Sequence, residues 1–271
     1  MIAAIIFLFG IVIGSFLNVC IHRLPHGESV VTPRSHCPHC GKLIAAYDNI
    51  PLASYLLLGG KCRYCHLRIS PVYFFVELAT GLMFLVSHLL LGTGPEFFRQ
   101  AVFGSLLIVL VMTDYQERIL PDRVTFPGMA FGLLFALLVP VGDGTGSWLA
   151  GLENIPAAAV SILDGLLGAF AGGGFLYVLG ELYFRLRHRE GMGFGDVKMM
   201  AMVGLFLGPK LTLLTILLGS LSGSVIGLML MFALRKSSDF ELPFGTFLGF
   251  TAFFASLWGW PILNWYGGFF P

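Results

Sequence analysis

Leu211-Thr-Leu-Leu-Thr-Ile-Leu-Leu-Gly-Ser-Leu-Ser-Gly-Ser-Val-Ile-Gly-Leu-Met-Leu-Met-Phe-Ala-Leu234 runs for 24 residues without a charged side chain. An apolar run of about 20 residues is what a helix needs to cross the hydrocarbon of a bilayer. Similar runs recur at Ile2–Ile21, Val72–Leu91, Phe97–Thr113, Val124–Val141, Ile155–Phe184, Val197–Gly208 and Phe244–Leu263. Together they predict an all-α polytopic membrane protein with about eight transmembrane helices. Composition agrees: 56% of the 271 residues are apolar and 11% charged, against roughly 25% charged in a soluble domain. A membrane β-barrel is excluded, because its strands would alternate polar and apolar residues whereas these runs are apolar on all sides. The net charge of +1 gathers on no face or tail, so no nucleic-acid partner is expected.

The few basic residues give the topology. Arg23, Arg34, Lys42, Lys61, Arg63 and Arg68 lie between the first two runs, and Arg118 and Arg123 between the third and fourth. Arg185, Arg187, Arg189 and Lys198, then Arg235 and Lys236, follow at the next two boundaries on that side. Only Arg99 and Lys210 of the 16 fall on the other side. This bias marks the rich side as cytoplasmic and puts both termini outside. The first run has no basic residue before it and Arg23 after it, so it reads as a retained helix rather than a secretory signal. The sixth run is odd: twelve residues reach only about 18 Å. It either tilts into a thinned region or follows irregular backbone beside a wet cavity. The outer loop Gly142–Asn154 reads as a flexible connector without chemistry.

Residues 23–71 form the one sizeable polar stretch, flanked by the first helix (1–22) and a membrane core (72–271). It carries Cys37-Pro-His-Cys40-Gly41 and, 21 residues on, Cys62-Arg-Tyr-Cys65-His66. Two C-x2-C pairs supply the four ligands of a closed structural zinc site, with no open position for a reacting water. A reducing cytoplasm argues against disulfides. His36, His39 and His66 lie near enough to replace a thiolate, so a Cys3His set stays open. Cys20, in the first apolar run, reads as packing.

Carboxylates within or beside the spans are expensive and therefore informative. Glu77, Asp164 and Glu181 fall inside apolar runs, where pairing with a basic residue is the plain structural account. Asp122 follows Pro121 at a helix start and suits the helix dipole there. Asp114 has no such account, since a negative charge at a helix C-terminus is disfavoured. Asp196 closes Gly191-Met-Gly193-Phe194-Gly195-Asp196-Val-Lys198, whose alternate glycines permit unusual backbone conformations and close approach of an extended chain. Two crossings separate the two aspartates, which returns them to the same membrane face. Paired carboxylates in a dry site cannot both ionise, so one keeps a proton while the other activates water, as in aspartic peptidases. Gly193, Gly195, Lys198 and Asp122 flank the pair and are expected to support it.

These residues, taken with Gly14-Ser-Phe-Leu-Asn18-Val19, His22-Arg23-Leu24-Pro25, Tyr47-Asp48-Asn49-Ile50-Pro51-Leu52, Ile69-Ser70-Pro71, Val76-Glu77-Leu78, Leu120-Pro121-Asp122 and Pro243-Phe244-Gly245, resemble the bacterial type IV prepilin peptidases over nearly the whole chain. The resemblance implies an eight-helix inner-membrane aspartic endopeptidase. Such an enzyme cuts the basic leader from prepilins and type II secretion pseudopilins at the cytoplasmic face. It then methylates the new N-terminal residue with S-adenosylmethionine. By the same resemblance Asp114 and Asp196 are the catalytic pair, and Cys37, Cys40, Cys62 and Cys65 the metal ligands. Methylation rests on the resemblance alone, because no Gly-rich fold for the donor is visible; Glu77 and the surface of the cysteine module are the candidates for that site. Three positions depart from the family pattern: Gln116 for a second Asp, Phe194 within the Gly run, and His66 for a Gly after the second thiolate pair. A presenilin-like intramembrane protease shares Gly-x-Gly-Asp but would lack the thiolate module. A zinc-dependent transporter would need metal ligands inside the spans. The sequence is silent on oligomeric state.

Overall fold

The structure is a computed structural model that describes residues 1–150, 156–188, 191–234 and 242–269. Arg189, Arg235 and Lys236 of the charge pattern, the end of the Gly142–Asn154 loop and Ile155 lie outside the described residues. The described chain is helical. Its elements are α1 (Ile2–Arg23), a 3-10 turn (Ala46–Asn49), α2 (Ala53–Leu57), α3 (Pro71–Leu91), α4 (Pro95–Glu117), α5 (Asp122–Leu138) and α6 (Thr145–Ala150). After these come α7 (Ala157–Ala169), a π turn (Phe170–Gly174), α8 (Phe175–Arg187), α9 (Phe194–Leu234) and α10 (Phe244–Gly267).

Six helical stretches among the described residues are long and apolar enough to cross a membrane: α1, α3, α4, Ala157–Arg187, α9 and α10. The expected count was eight, and two local features account for the difference. α5 has 17 residues, at the lower end of the lengths that span the hydrocarbon. The sixth and seventh expected runs are joined in the 41 residues of α9, whose backbone breaks at Gly208 with φ 75° and ψ 173°. A side chain is strained at that φ, and Pro209 next to it cannot continue the hydrogen-bond ladder.

The chain divides into two compact units, Met1–Val109 and Leu110–Pro271, with the division inside α4. In the first unit α1 and α3 pack through small residues. A Cβ on Gly14 would come within 2.7 Å of the Glu77 Cα, and one on Gly10 within 2.9 Å of the Gly81 Cα. Such close backbone approach is how membrane helices associate without a hydrophobic drive between them. The Asn18 side chain donates to the Tyr73 carbonyl at 2.9 Å. The Gly14 and Asn18 motif thus has a packing role. Arg23, buried at the end of α1, donates to the carbonyls of Ser29 and Pro33 at 2.9 and 2.8 Å.

In the second unit the first arm of α9 is the core. Met199, Met200, Met202 and Val203 are wholly buried, with the backbone of α7 and the π turn pressed directly on this arm. A Cβ on Gly168 would strike the Gly204 carbonyl oxygen, and one on Gly172 would lie 2.6 Å from that of Met200. The run that looked too short to cross is therefore short because it is enclosed by protein, and it hands over to the second arm at Gly208. Asp143 caps that second arm: its Oδ2 accepts the Lys210 amide at 2.9 Å, and its carbonyl accepts the Lys210 ammonium at 2.7 Å. The hydroxyl of Thr145 also donates to Asp143. Asp164 accepts the amides of Gly144 and Gly146 at 3.0 and 2.5 Å. The described part of the outer loop is accordingly fastened, not a free connector, and it supplies Asp164 with the partners a buried carboxylate requires. Glu181 is half-buried and pairs with Arg185 one turn on, at 2.8 Å.

Candidate active site

Asp114 lies in the last turn of α4, and the chain leaves that helix through Arg118. The Arg118 backbone is left-handed at φ 57°, and its amide closes on the Asp114 carbonyl at 2.9 Å. Asp196 is the third residue of α9, its amide donating to the Gly193 carbonyl at 3.1 Å. Both carboxylates are buried, 6% and 8% exposed. What brings them together is the start of α10. A Cβ built on Gly245 would lie 2.9 Å from Asp196 Oδ1 and 3.1 Å from Asp114 Oδ2. Two carboxylates from helices distant in sequence thus border one space the size of a methyl group. Their surroundings differ. Asp114 Oδ2 accepts the Thr246 amide at 2.6 Å and the Thr246 hydroxyl at 2.8 Å. Asp196 Oδ1 is buried and without a hydrogen-bond partner among the described residues. A pair with one oxygen tied and one open is suited to general acid and base work on a water and a carbonyl.

Four further residues were expected to support the pair. Lys198 bonds Asp122 at 2.6 Å and joins the starts of α5 and α9. Both side chains are partly exposed, which limits the pair to under about 1 kcal/mol. Gly195 faces Leu120, where a Cβ would sit 3.0 Å from the Leu120 Cβ, and Gly193 has ordinary room, 3.6 Å from Asp196 Oδ2. Neither Gly193 nor Gly195 has a positive φ. The expectation of unusual backbone conformations is therefore corrected at these two positions: Gly195 is small for packing, and a Cβ on Gly191 would strike the Tyr183 ring. Phe194 packs edge-on against Tyr177 and lies under the Lys198 ammonium. Thr246 was not foreseen, since a threonine in the first turn of a helix ordinarily serves as a cap. The signal available was its place directly after Pro243-Phe244-Gly245.

In the first unit, the sulfurs of Cys37, Cys40, Cys62 and Cys65 lie within 4.8 Å of one another. Cys37 and Cys65 are 3.9 Å apart, close to the roughly 3.8 Å that tetrahedral Zn–S bonds of 2.3 Å imply. The four thiols fit a metal such as zinc, and the alternative with a histidine ligand is not the grouping seen. The two halves repeat one design. Cys37 and Cys62 amides donate to the carbonyls of Lys42 and Leu67, and Gly41 and His66 amides return to the carbonyls of Cys37 and Cys62, each at 2.9 Å. Single antiparallel bridges, His36 to Leu43 and Lys61 to Arg68, close the two turns. The amides of Cys65 and Tyr64 hold the Cys62 thiol down at about 6. The Leu67 amide favours the Cys65 thiolate, but burial and the thiols of Cys62, Cys37 and Cys40 push it up to about 11. Cys37, Cys40, Cys62 and Cys65 would hold a metal as four thiolates, which would end this sharing of protons. Arg63 grips Asp48 through two bonds of 2.7 and 2.5 Å and holds that carboxyl below its ordinary value.

His66 occupies the position of Gly41 in the repeat and has φ 55°, against 69° for Gly41. A Cβ is penalised there by about 1 kcal/mol or more, offset in part because glycine is freer when unfolded. His66→Gly should therefore stabilise the module by about 0.5–1 kcal/mol. The effect is read as slower release of metal to a chelator; faster release would contradict it.

Within the first unit, Glu77 is not brought to the four thiols. Buried at 8% exposure, it accepts the Leu52 amide at 2.8 Å. Leu52 is itself left-handed, at φ 58°. Glu77 thus ties the Asn49-Ile50-Pro51-Leu52 turn to α3.

The sequence matches the Bacterial Peptidase A24 N-terminal domain over residues 8–91 and the Type IV leader peptidase family over residues 101–228. It is 35% identical over 287 residues to the prepilin leader peptidase/N-methyltransferase of Aeromonas hydrophila, covering 97% of this chain and 93% of that one. The chain belongs to the type IV leader peptidase family. The family's prepilin leader peptidase/N-methyltransferase of Pseudomonas aeruginosa is 33% identical over 277 residues, with 93% and 89% covered. That of Klebsiella pneumoniae is 37% identical over 221 residues, with 79% and 89% covered. No solved structure matches the chain. Both parts of the family pattern fall on geometry described above: the N-terminal match includes the four thiols and Glu77, and the second match includes Asp114 and Asp196.

Proposed function

We propose that this chain is a membrane aspartic endopeptidase that removes the leader of type IV prepilins and type II secretion pseudopilins, and that it methylates the new N-terminal residue with S-adenosylmethionine. The observation that carries the peptidase reading is the pair of buried carboxylates, Asp114 and Asp196, bordering the gap at Gly245. Asp114 and Asp196 activate water and protonate the scissile carbonyl. Gly195 and the Lys198–Asp122 pair hold the helix starts around them. Cys37, Cys40, Cys62 and Cys65 hold a structural zinc within residues 23–71; four thiolates leave the ion no open position for water. The names of the relatives support both activities. The basic bias supports a cytoplasmic active site and zinc module in a multi-pass inner-membrane protein with outside termini. Counting α5 and the two arms of α9 as separate crossings gives eight.

The test is purified protein in detergent with a synthetic prepilin peptide, its products read by mass spectrometry. Leader removal at one site is expected, followed by gain of a single methyl on the new N-terminus when S-adenosylmethionine is supplied. An intact peptide would overturn the peptidase reading, and a cut but unmethylated product the second activity.

A further inference from the structure

We infer that Thr246 and Gly245, in the first turn of α10, are positioning residues that set the geometry of the carboxylate pair. This rests on the reading of Asp114 and Asp196 as catalytic. Asp114 sits at the C-terminal end of α4, where no backbone amide of its own helix is free to hold a carboxylate. The structure supplies the missing donors from elsewhere. The Thr246 amide and hydroxyl both reach Asp114 Oδ2, at 2.6 and 2.8 Å, and the hydroxyl also lies 3.4 Å from the Val111 carbonyl one turn back in α4. The amide is one of the first-turn donors of α10 that have no partner within that helix, and the positive end of the helix dipole adds to its pull on a carboxylate.

The consequence is a division of labour between the oxygens of Asp114. Oδ2 is consumed by two donors, which fixes the plane of the carboxyl and leaves Oδ1 for chemistry. Gly245 does the complementary work. Its missing side chain leaves open a space that a methyl group would fill, in contact with Asp196 Oδ1 at 2.9 Å and Asp114 Oδ2 at 3.1 Å. Asp196 Oδ1 is the buried oxygen without a partner among the described residues, and it faces that space. One turn of helix therefore clamps one carboxylate and keeps the gap to the other open. Alignment errors of about 1 Å at such a site lower turnover by about 100-fold.

The test measures kcat and KM separately for the full-length protein with a prepilin peptide, together with its melting temperature in detergent. Thr246→Val keeps the shape and the amide but removes the hydroxyl. It should lower kcat by about 10- to 100-fold with KM within about twofold and melting unchanged, and Thr246→Ser should recover most of that loss. Gly245→Ala leaves both Thr246 donors in place and should lower kcat at least as much. Wild-type kcat in Thr246→Val, or a Ser variant as slow as the Val one, overturns the clamp. Wild-type kcat in Gly245→Ala overturns the open gap, and it does so even where the valine variant fails to fold. Asp114→Asn in the same assay separates the two readings: if it stays active the catalytic pair itself is wrong, whereas an inactive Asp114→Asn beside a fully active Thr246→Val rejects the positioning role alone.

Discussion

Asp196→Asn and Asp114→Asn should each abolish leader cleavage, by at least about 1000-fold, while the protein stays folded. The substitution is nearly isosteric and replaces a group that titrates with one that does not. At position 114 the asparagine carbonyl can still accept from the Thr246 amide and hydroxyl, so the contact between α4 and α10 survives. At position 196 a neutral amide is less expensive to bury than a charge, and Oδ1 has no partner to lose among the described residues. Folding is therefore not the reason for the expected loss; the missing proton exchange is. The measurement is cleavage of a prepilin peptide by each variant alongside its thermal melt. More than a tenth of wild-type turnover in either, with an unchanged melt, removes that aspartate from the chemistry.

The parts of this site that could be read from sequence are those that local physics makes expensive. Leu211–Leu234 is legible because lipid tolerates only a closed, apolar helix, and Asp114 and Asp196 because a carboxylate beside such a run needs a reason. The cysteine tetrad is legible because ligand spacing is local. What stayed hidden depends on partners distant along the chain. The cap of α9's second arm is Asp143, 67 residues before Lys210, and the donor to Asp114 is Thr246, 132 residues after it. No periodicity or spacing rule connects such positions. Gly195, before Asp196, shows a different failure: its presence is informative, but the reason is packing against Leu120 rather than left-handed backbone. The short sixth run was legible as anomalous, yet its explanation, enclosure by α7 and the π turn, exists only in three dimensions.

Replacing Cys37 and Cys62 together by serine should strip the bound metal, from about one zinc per chain to near none, and unfold the module between α1 and α3. These are the two buried thiols of the set, at 6% and 8% exposure, so serine hydroxyls in their places are buried without the ligand role. The stretch has little else to hold it. Its regular structure is one 3-10 turn, the five-residue α2 and two isolated bridges. Zinc binding by comparable small sites supplies on the order of 10 kcal/mol of folding free energy, more than single contacts such as Arg63–Asp48 on the surface or the Glu77 bond to the Leu52 amide could replace. The second unit contains none of these contacts, so its helices should persist. Limited proteolysis would then cut the variant within residues 23–71 while leaving the helices of the second unit protected, and chelation of the wild-type protein should reproduce the pattern. Unchanged zinc content, or a module equally resistant without it, would refute a metal-held fold and leave the thiols as packing alone.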